Sequence, residues 1–189
     1  MQGSKGRFYG AFLAQGELSI YQNGIHAVGD TMSGGNIFLH GDAGDAAGYG
    51  MWGGCLSIQS NAGNRAGMHM KASAVLLIGG QAGTFLGEYQ AGGTIIVLGL
   101  DQNGPLWGAS PFAGFHGGKV YVRRNIDELD LPAHVCAKVA DEADLQQITP
   151  HLDACCHRFG WDMAEILSKP FTVLTPKSHR PYQSLYTPA

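Results

Sequence analysis

Gly35-Asn36-Ile37-Phe38-Leu39 is answered nineteen residues later by Gly54-Cys55-Leu56-Ser57-Ile58. Each stretch opens on glycine and sets an aliphatic residue two and four positions after it. Working outward, the same opening recurs at Gly16, Gly35, Gly54, Ser73, Gly93 and Gly118, with spacings of 19, 19, 19, 20 and 25. A fixed period of this size marks a stacked repeat, and it outranks local propensity.

Two positions after the openings stand Leu18, Ile37, Leu56, Val75, Ile95 and Val120; four after them stand Ile20, Leu39, Ile58, Leu77, Val97 and Val122. All twelve are aliphatic. Alternation by two is strand geometry, because successive side chains point to opposite faces. Thirteen after the openings come Gly29, Gly48 and Gly67, with Gly10 in phase; sixteen after come Met32, Met51 and Met70, preceded by Leu13. The methionines read as a second inward ladder and the glycines as corners that need positive φ or close backbone approach.

Nineteen residues at roughly 3.3 Å each trace a loop of about 60 Å, three sides of about 20 Å around an interior that side chains can fill. Such a coil cannot bury its own apolar face, so several must stack. The expected fold is all-β: a single-stranded right-handed parallel β-helix of about 19 residues per coil and about six and a half coils, over residues 1–125. Glycines flanking every strand disfavour a helical solenoid.

The 25-residue spacing holds an insertion, Pro105-Leu106-Trp107-Gly108-Ala109-Ser110-Pro111-Phe112. Trp107 and Phe112 either meet a partner or fold back onto the chain's own core, the second being the simpler expectation. Residues 126–168 read as a helical cap. Leu145, Ile148, Leu152, Cys155 and Phe159 fall at helical spacing, Pro150 reads as a first-turn proline behind Thr149, and Gly160 as a stop. This segment is the expected cover for the open end of the stack. Residues 169–189 read as an extended tail in which Phe171-Thr172-Val173-Leu174 can add a strand.

The 189 residues carry a net charge of −3 with 12 Lys+Arg, so no basic face invites nucleic acid or anionic lipid. No apolar run reaches the length of a membrane span, and the first residues lack the apolar stretch of a signal peptide. Cysteines at 55, 136, 155 and 156, without Cys-x-x-Cys, suit neither a metal framework nor a secreted disulfide scaffold; a reducing cytoplasm is the expected location.

Several motifs look chemical and read better as structure. Gly48-Tyr49-Gly50-Met51-Trp52-Gly53 matches G-x-G-x-x-G but lies on a coil corner, without the helix a dinucleotide site needs. Of Cys155-Cys156-His157, one cysteine is expected to pack inward. His26, His40, His69 and His116 occupy four different columns, and His69 is expected to point outward. Asp30, Asp42, Asp45 and Asn64 are read as turn residues bonding their own backbone. No catalytic, cofactor or metal residue is assigned.

The coil text Gly34-Gly35-Asn36-Ile37-Phe38-Leu39-His40-Gly41-Asp42-Ala43-Gly44, with Ala47-Gly48-Tyr49-Gly50-Met51-Trp52-Gly53-Gly54 and Asn61-Ala62-Gly63-Asn64-Arg65-Ala66-Gly67-Met68, resembles the GXGXG β-helix domain of the glutamate synthase large subunit. The likeness runs through Gly117 to Val122 and the helical segment. It ends at Arg180-Pro181-Tyr182-Gln183-Ser184-Leu185-Tyr186, which looks like that domain's terminal tail. The resemblance implies a structural, non-catalytic chain beside an amidotransferase-like partner and an FMN-dependent synthase-like partner carrying FMN and an iron–sulfur cluster, making glutamate or N-methylglutamate. Residue 2 is glutamine where the family's amidotransferase has its nucleophilic cysteine, and cluster cysteines are absent, so no active-site residue carries over. Interface candidates are Trp107, Phe112, Arg180, Tyr182 and Tyr186, with self-association also open. Two other readings stand beside this one: the β-helix subunit of a formylmethanofuran dehydrogenase-like complex, and an autonomous ligand-binding solenoid.

Overall fold

The computed structural model describes residues 9–24, 26–100 and 104–180. Six strands, β1 (Glu17–Ile20), β2 (Ser33–Leu39), β3 (Gly53–Ile58), β4 (Val75–Ile78), β5 (Ala91–Val97) and β6 (Gly117–Val122), pair in parallel in chain order. They form one side of a β-solenoid whose coils repeat at the 19-residue spacing. Parallel neighbours need a crossover, and here each crossover is the rest of one coil.

The register stacks Leu18, Ile37, Leu56, Leu76, Ile95 and Val120 in one inward column, and Ile20, Leu39, Ile58, Ile78, Val97 and Val122 in the other. Apart from half-buried Leu18, all belong to the buried core. Val75 and Leu77 are therefore corrected: the 20-residue step falls between β3 and β4, one coil earlier than the sequence spacing suggests. Both side chains lie on the outer face of the sheet, in a second apolar cluster with Ile96, Tyr121, Ile148 and Leu152. A strand covered on both faces loses its alternation, so Val75-Leu76-Leu77-Ile78 offered no means of choosing the inward pair.

The corners explain the glycines. Residues 46, 48 and 50 (Ala, Gly, Gly) all have positive φ, at 60°, 69° and 61°; so do Arg65, Gly67 and His69, at 57°, 71° and 57°. Alternating left-handed residues turn successive N–H groups up and down the stack. Ala46 and Gly50 donate to Asn64 and Met68 of the next coil, while Gly48 donates to Val28 of the previous one, each at 2.8 Å. Backbone pairing between coils thus continues through the bends.

Beside the corners, Asn23, Asp42 and Asn61 each accept the backbone N–H of the residue one coil on (Asp42, Asn61 and Gln81, all at 3.0 Å); Asp45 and Asn64 do likewise. Asp42, Asp45 and Asn64 therefore clamp adjacent coils, instead of bonding their own turns.

Past β6 the architecture changes. A 3₁₀ turn (Ile126–Glu128), β7 (Val135–Val139), α1 (Glu142–Phe159), α2 (Met163–Leu167) and β8 (Thr172–Pro176) follow. β8 pairs antiparallel with β6, and β7 with β8, so the open edge of the solenoid is covered by strands. Leu174 and Val135 close the inner core from that end. α1 lies on the outer face of the sheet, with Ile148, Leu152 and Cys155 buried there. The expected C-terminal helical region is present as α1 and α2 on the flank of the sheet, while β8 and β7 cover the edge itself. α1 starts earlier than expected, at a capping box between Asp141 and Asp144, so Pro150 sits inside the helix; Gly160 ends it in the left-handed conformation as expected. Arg123, buried, donates to the carbonyls of Ile166 and Glu165 and fastens α2 to the sheet.

Candidate interaction surfaces

Among the described residues, side chains fill the inside of the coils. Met32, Met51 and Met70 are fully buried opposite the strand columns, with Ala47 and Ala66 filling the side between them. The same local turn, residue i donating to i−3, recurs at Leu13, Met32, Met51, Met70, Gln90 and Phe115. This column therefore continues with Gln90, which the sequence reading missed because the 20-residue step had shifted the phase. Gln90 is fully buried; its Nε2 donates to Gly92 O at 3.1 Å and, more weakly, to Gly93 O and Lys119 O, while Oε1 has no protein partner.

The outer faces carry the exposed aromatic and charged side chains. One corner carries aromatics: Trp52 is 53% exposed with Lys71 Nζ 4.8 Å above its ring, and His69 stacks on Tyr89 at 5.3 Å with Tyr49 edge-on at 5.9 Å. His69 is half-buried between these tyrosines. The G-x-G-x-x-G string of Gly48 to Gly53 forms this corner and leads into β3, as its place in the repeat implied.

The insertion builds a second surface. Phe112 takes the left-handed position that glycine holds in the other corners, φ 61°, and is fully buried against Phe115 and Trp107. Its ring packs into the chain's own core, as the simpler expectation for the insertion had it. Trp107 is half-buried and forms a wall shared by two clefts of about 310 and 480 Å³. Pro105, Pro111, Leu131, Pro132 and Asp130 complete the larger one. Arg180 is exposed, and Tyr182 and Tyr186 lie outside the described residues.

A third feature sits where α1 meets the sheet. Buried Asp144 pairs with Lys138 at 2.6 Å and Lys119 at 3.6 Å, and Tyr121 donates to Gln147 at 3.2 Å. Burial, then the Asp144 carboxylate, push the Tyr121 phenol up to about 12, so it stays protonated and acts as a donor. This network ties α1 to β6. The thiols are equally quiet: Cys155 packs inward, and burial pushes it up to about 12 and raises Cys55. Among the described residues no group of three or more His, Cys, Asp or Glu comes together as metal ligands, and no helix is long and apolar enough to cross a membrane.

Two comparisons bear on this architecture. An uncharacterized protein, MJ1350, of Methanocaldococcus jannaschii is 39% identical over 132 residues, covering 64% of this chain and 51% of that protein. The chain thus spans about half the length of that curated relative. A family model described as "GXGXG motif" matches residues 1–179, nearly the full length. The 19-residue coil, with left-handed corners at alternate positions, is the physical content of that motif, and the chain belongs to the GXGXG motif family, the glutamate synthase-like domain family its sequence resembles.

Proposed function

We propose that this chain is a non-catalytic scaffold in a glutamate synthase-like assembly, holding an amidotransferase-like chain and an FMN-binding synthase-like chain at fixed separation. The observation that carries the reading is the filled interior of a GXGXG solenoid: aliphatic, alanine and methionine columns occupy the space inside the coils. Work is left to the outer faces. Six parallel strands with β8 and β7 beyond them, spaced about 4.8 Å apart, form a rigid bar roughly 34 Å long. A face about 20 Å wide along that bar offers roughly 700 Å², close to the ~800 Å² per partner of a standard stable interface. FMN and the iron–sulfur cluster belong, in this reading, to the synthase-like partner. The electrons and ammonia are handled there, while this chain supplies orientation.

The test is affinity purification of the tagged chain from its native host, with mass spectrometry of co-eluting chains. Recovery of an FMN-containing synthase-like protein together with an amidotransferase-like chain supports the proposal. A molybdenum or tungsten enzyme in their place moves the chain to the formylmethanofuran dehydrogenase-like reading. A monomer that elutes alone and binds a small molecule on one face would make it an autonomous binding solenoid.

A further inference from the structure

The strands that cover the end of the solenoid present an edge of their own. Among the described residues β7 pairs with β8 alone and stands last in the sheet. Its outward backbone groups follow from the bonds on its other side. Lys177 N–H donates to His134 O at 3.0 Å, and Ala140 N–H to Phe171 O at 2.8 Å. Bonded positions alternate in an antiparallel ladder, so His134, Cys136, Lys138 and Ala140 bond toward β8. Val135, Ala137 and Val139 turn their backbone groups the other way. Val135 N–H is taken by Pro132 O at 3.0 Å. The N–H groups of Ala137 and Val139 and the carbonyls of all three residues therefore face outward.

The side chains at this edge are also unfinished. The inward columns run on past β6, one through Val120, Leu174 and Ala137, the other through Val122, Thr172 and Val139. The second column is buried at every position from Ile20 to Thr172 and then ends on Val139, 58% exposed. Nor is the edge blunted in the ways that keep sheets apart. β7 holds no proline, and its register with β8 runs without a bulge. Its single charge, Lys138, is held within the chain by Asp144 at 2.6 Å and Asp141 at 3.0 Å.

We infer that the β7 edge is where a second copy of this chain docks, the two β7 strands pairing antiparallel about a two-fold axis at Ala137 and joining the two sheets into one. The occupant is a second copy because this edge is complementary to itself, as an isologous contact requires. Ala137 N–H meets Ala137 O of the second copy in both directions, and Val139 N–H meets Val135 O. On the inner face Val135 of the second copy covers exposed Val139, so both apolar columns continue across the axis. Other registers do worse. An axis at Cys136 carries Val139 past the end of the opposing strand, and one at Lys138 sets the two ammonium groups directly opposite each other. The paired edge is short, at the low end of interface sizes, so the dimer is reversible and depends on concentration. This surface is independent of the scaffold reading, which assigns it no role.

Sedimentation velocity of the full chain over about a hundredfold range of concentration is expected to show a reversible monomer–dimer equilibrium. Amide exchange read by NMR locates the contact. The Ala137 and Val139 amides gain protection as the dimer forms, while those of Cys136 and Lys138, already bonded to β8, stay constant. Ala137→Pro removes an N–H that the β7–β8 ladder does not use. Val139→Lys places a charge where the monomer exposes the side chain and the dimer buries it, and it covers the case in which proline impairs folding. Each is expected to weaken association by about tenfold or more, with the thermal midpoint of the Val139→Lys monomer unchanged. The double variant Cys136→Ser/Ala137→Cys should form a covalent dimer with oxidised glutathione. Residues paired at the axis have Cα atoms about 5.5 Å apart, within the span of a disulfide. A chain that stays monomeric over the whole range overturns the inference. So does a dimer that survives Val139→Lys, leaves the Ala137 and Val139 amides unprotected, or does not cross-link through the double variant.

Discussion

Gln90→Met restores the side chain that the coil places at this position three times before, at Met32, Met51 and Met70. In the native chain the Gln90 side chain is fully buried, with Oε1 unpartnered. An unsatisfied buried acceptor costs about 1–3 kcal/mol, which the substitution removes. Against this stands the loss of one good hydrogen bond, Nε2 to Gly92 O at 3.1 Å, worth about 1 kcal/mol net. The contacts to Gly93 O and Lys119 O, at 3.4 and 3.5 Å, add little at that length. Met and Gln are close in volume, so no cavity opens and no strain enters. The balance is a gain of about 1 kcal/mol, or about 2–4 °C in midpoint for a chain of this size. Urea unfolding followed by circular dichroism and by tryptophan fluorescence measures it, with coincidence of the two probes checking for the coil-by-coil melting to which solenoids are prone. The mirror substitution, Met51→Gln, puts a polar amide into the column without a partner for it and is expected to lose about 1–3 kcal/mol. Destabilisation of Gln90→Met by more than 1 kcal/mol would refute the reasoning, since the amide would then be a register lock between β5 and β6 that outweighs its unpaired oxygen.

Three further outcomes follow from local geometry. Gly54→Ala places a Cβ 2.6 Å from Gly35 O and 2.7 Å from Gly34 C at φ +76°, whereas Gly160→Ala, at φ +72°, meets nothing within 4 Å. Both pay about 1–2 kcal/mol for the left-handed backbone, so urea midpoints should show Gly54→Ala as clearly the worse, and equal losses would mean the coils separate freely. Iodoacetamide on the native chain should modify exposed Cys136 first and leave Cys155, buried and pushed up to about 12, untouched until urea unfolds the protein; peptide mapping reads the order. Asp141 is held below its ordinary value, chiefly by the Asp144 backbone N–H and then by Lys138. A depressed folded-state pKa means its contribution is whole above the unfolded value of about 3.9 and is lost as pH falls through the folded one. Exchange protection at the start of α1 should fall in that window, and Asp141→Ala should abolish that acid-dependent loss.

How much of this was legible from sequence depends on which faces each element buries. β1, β2 and β3 read correctly because their outer faces still mix polar residues, Glu17, Asn36 and Ser57, with the apolar inner ones. At β4 the cover of α1 makes both faces apolar, period two disappears, and the register slipped by one; Gln90 was lost to the Met column by the same slip. The end of the stack was legible as a need, an edge requiring cover, but not as a solution. Val135-Cys136-Ala137-Lys138-Val139 carries alternation that reads equally as the approach to a helix, and only its antiparallel pairing with β8 decides. Phe112 shows the converse limit. Nothing in Pro111-Phe112-Ala113 announces a left-handed corner, because the coil tolerates a non-glycine at φ 61° once the ring is locked between Trp107 and Phe115. The strain of about 1–2 kcal/mol is offset by roughly 1.5–3 kcal/mol from burying a phenylalanine side chain. A bulky residue could thus replace the glycine of the repeat at the point where the insertion enlarges the coil. The outward consequence is the Trp107 cleft: by taking the corner inward, Phe112 leaves Trp107 standing half-exposed between two hollows, and that surface exists only because the repeat is broken there.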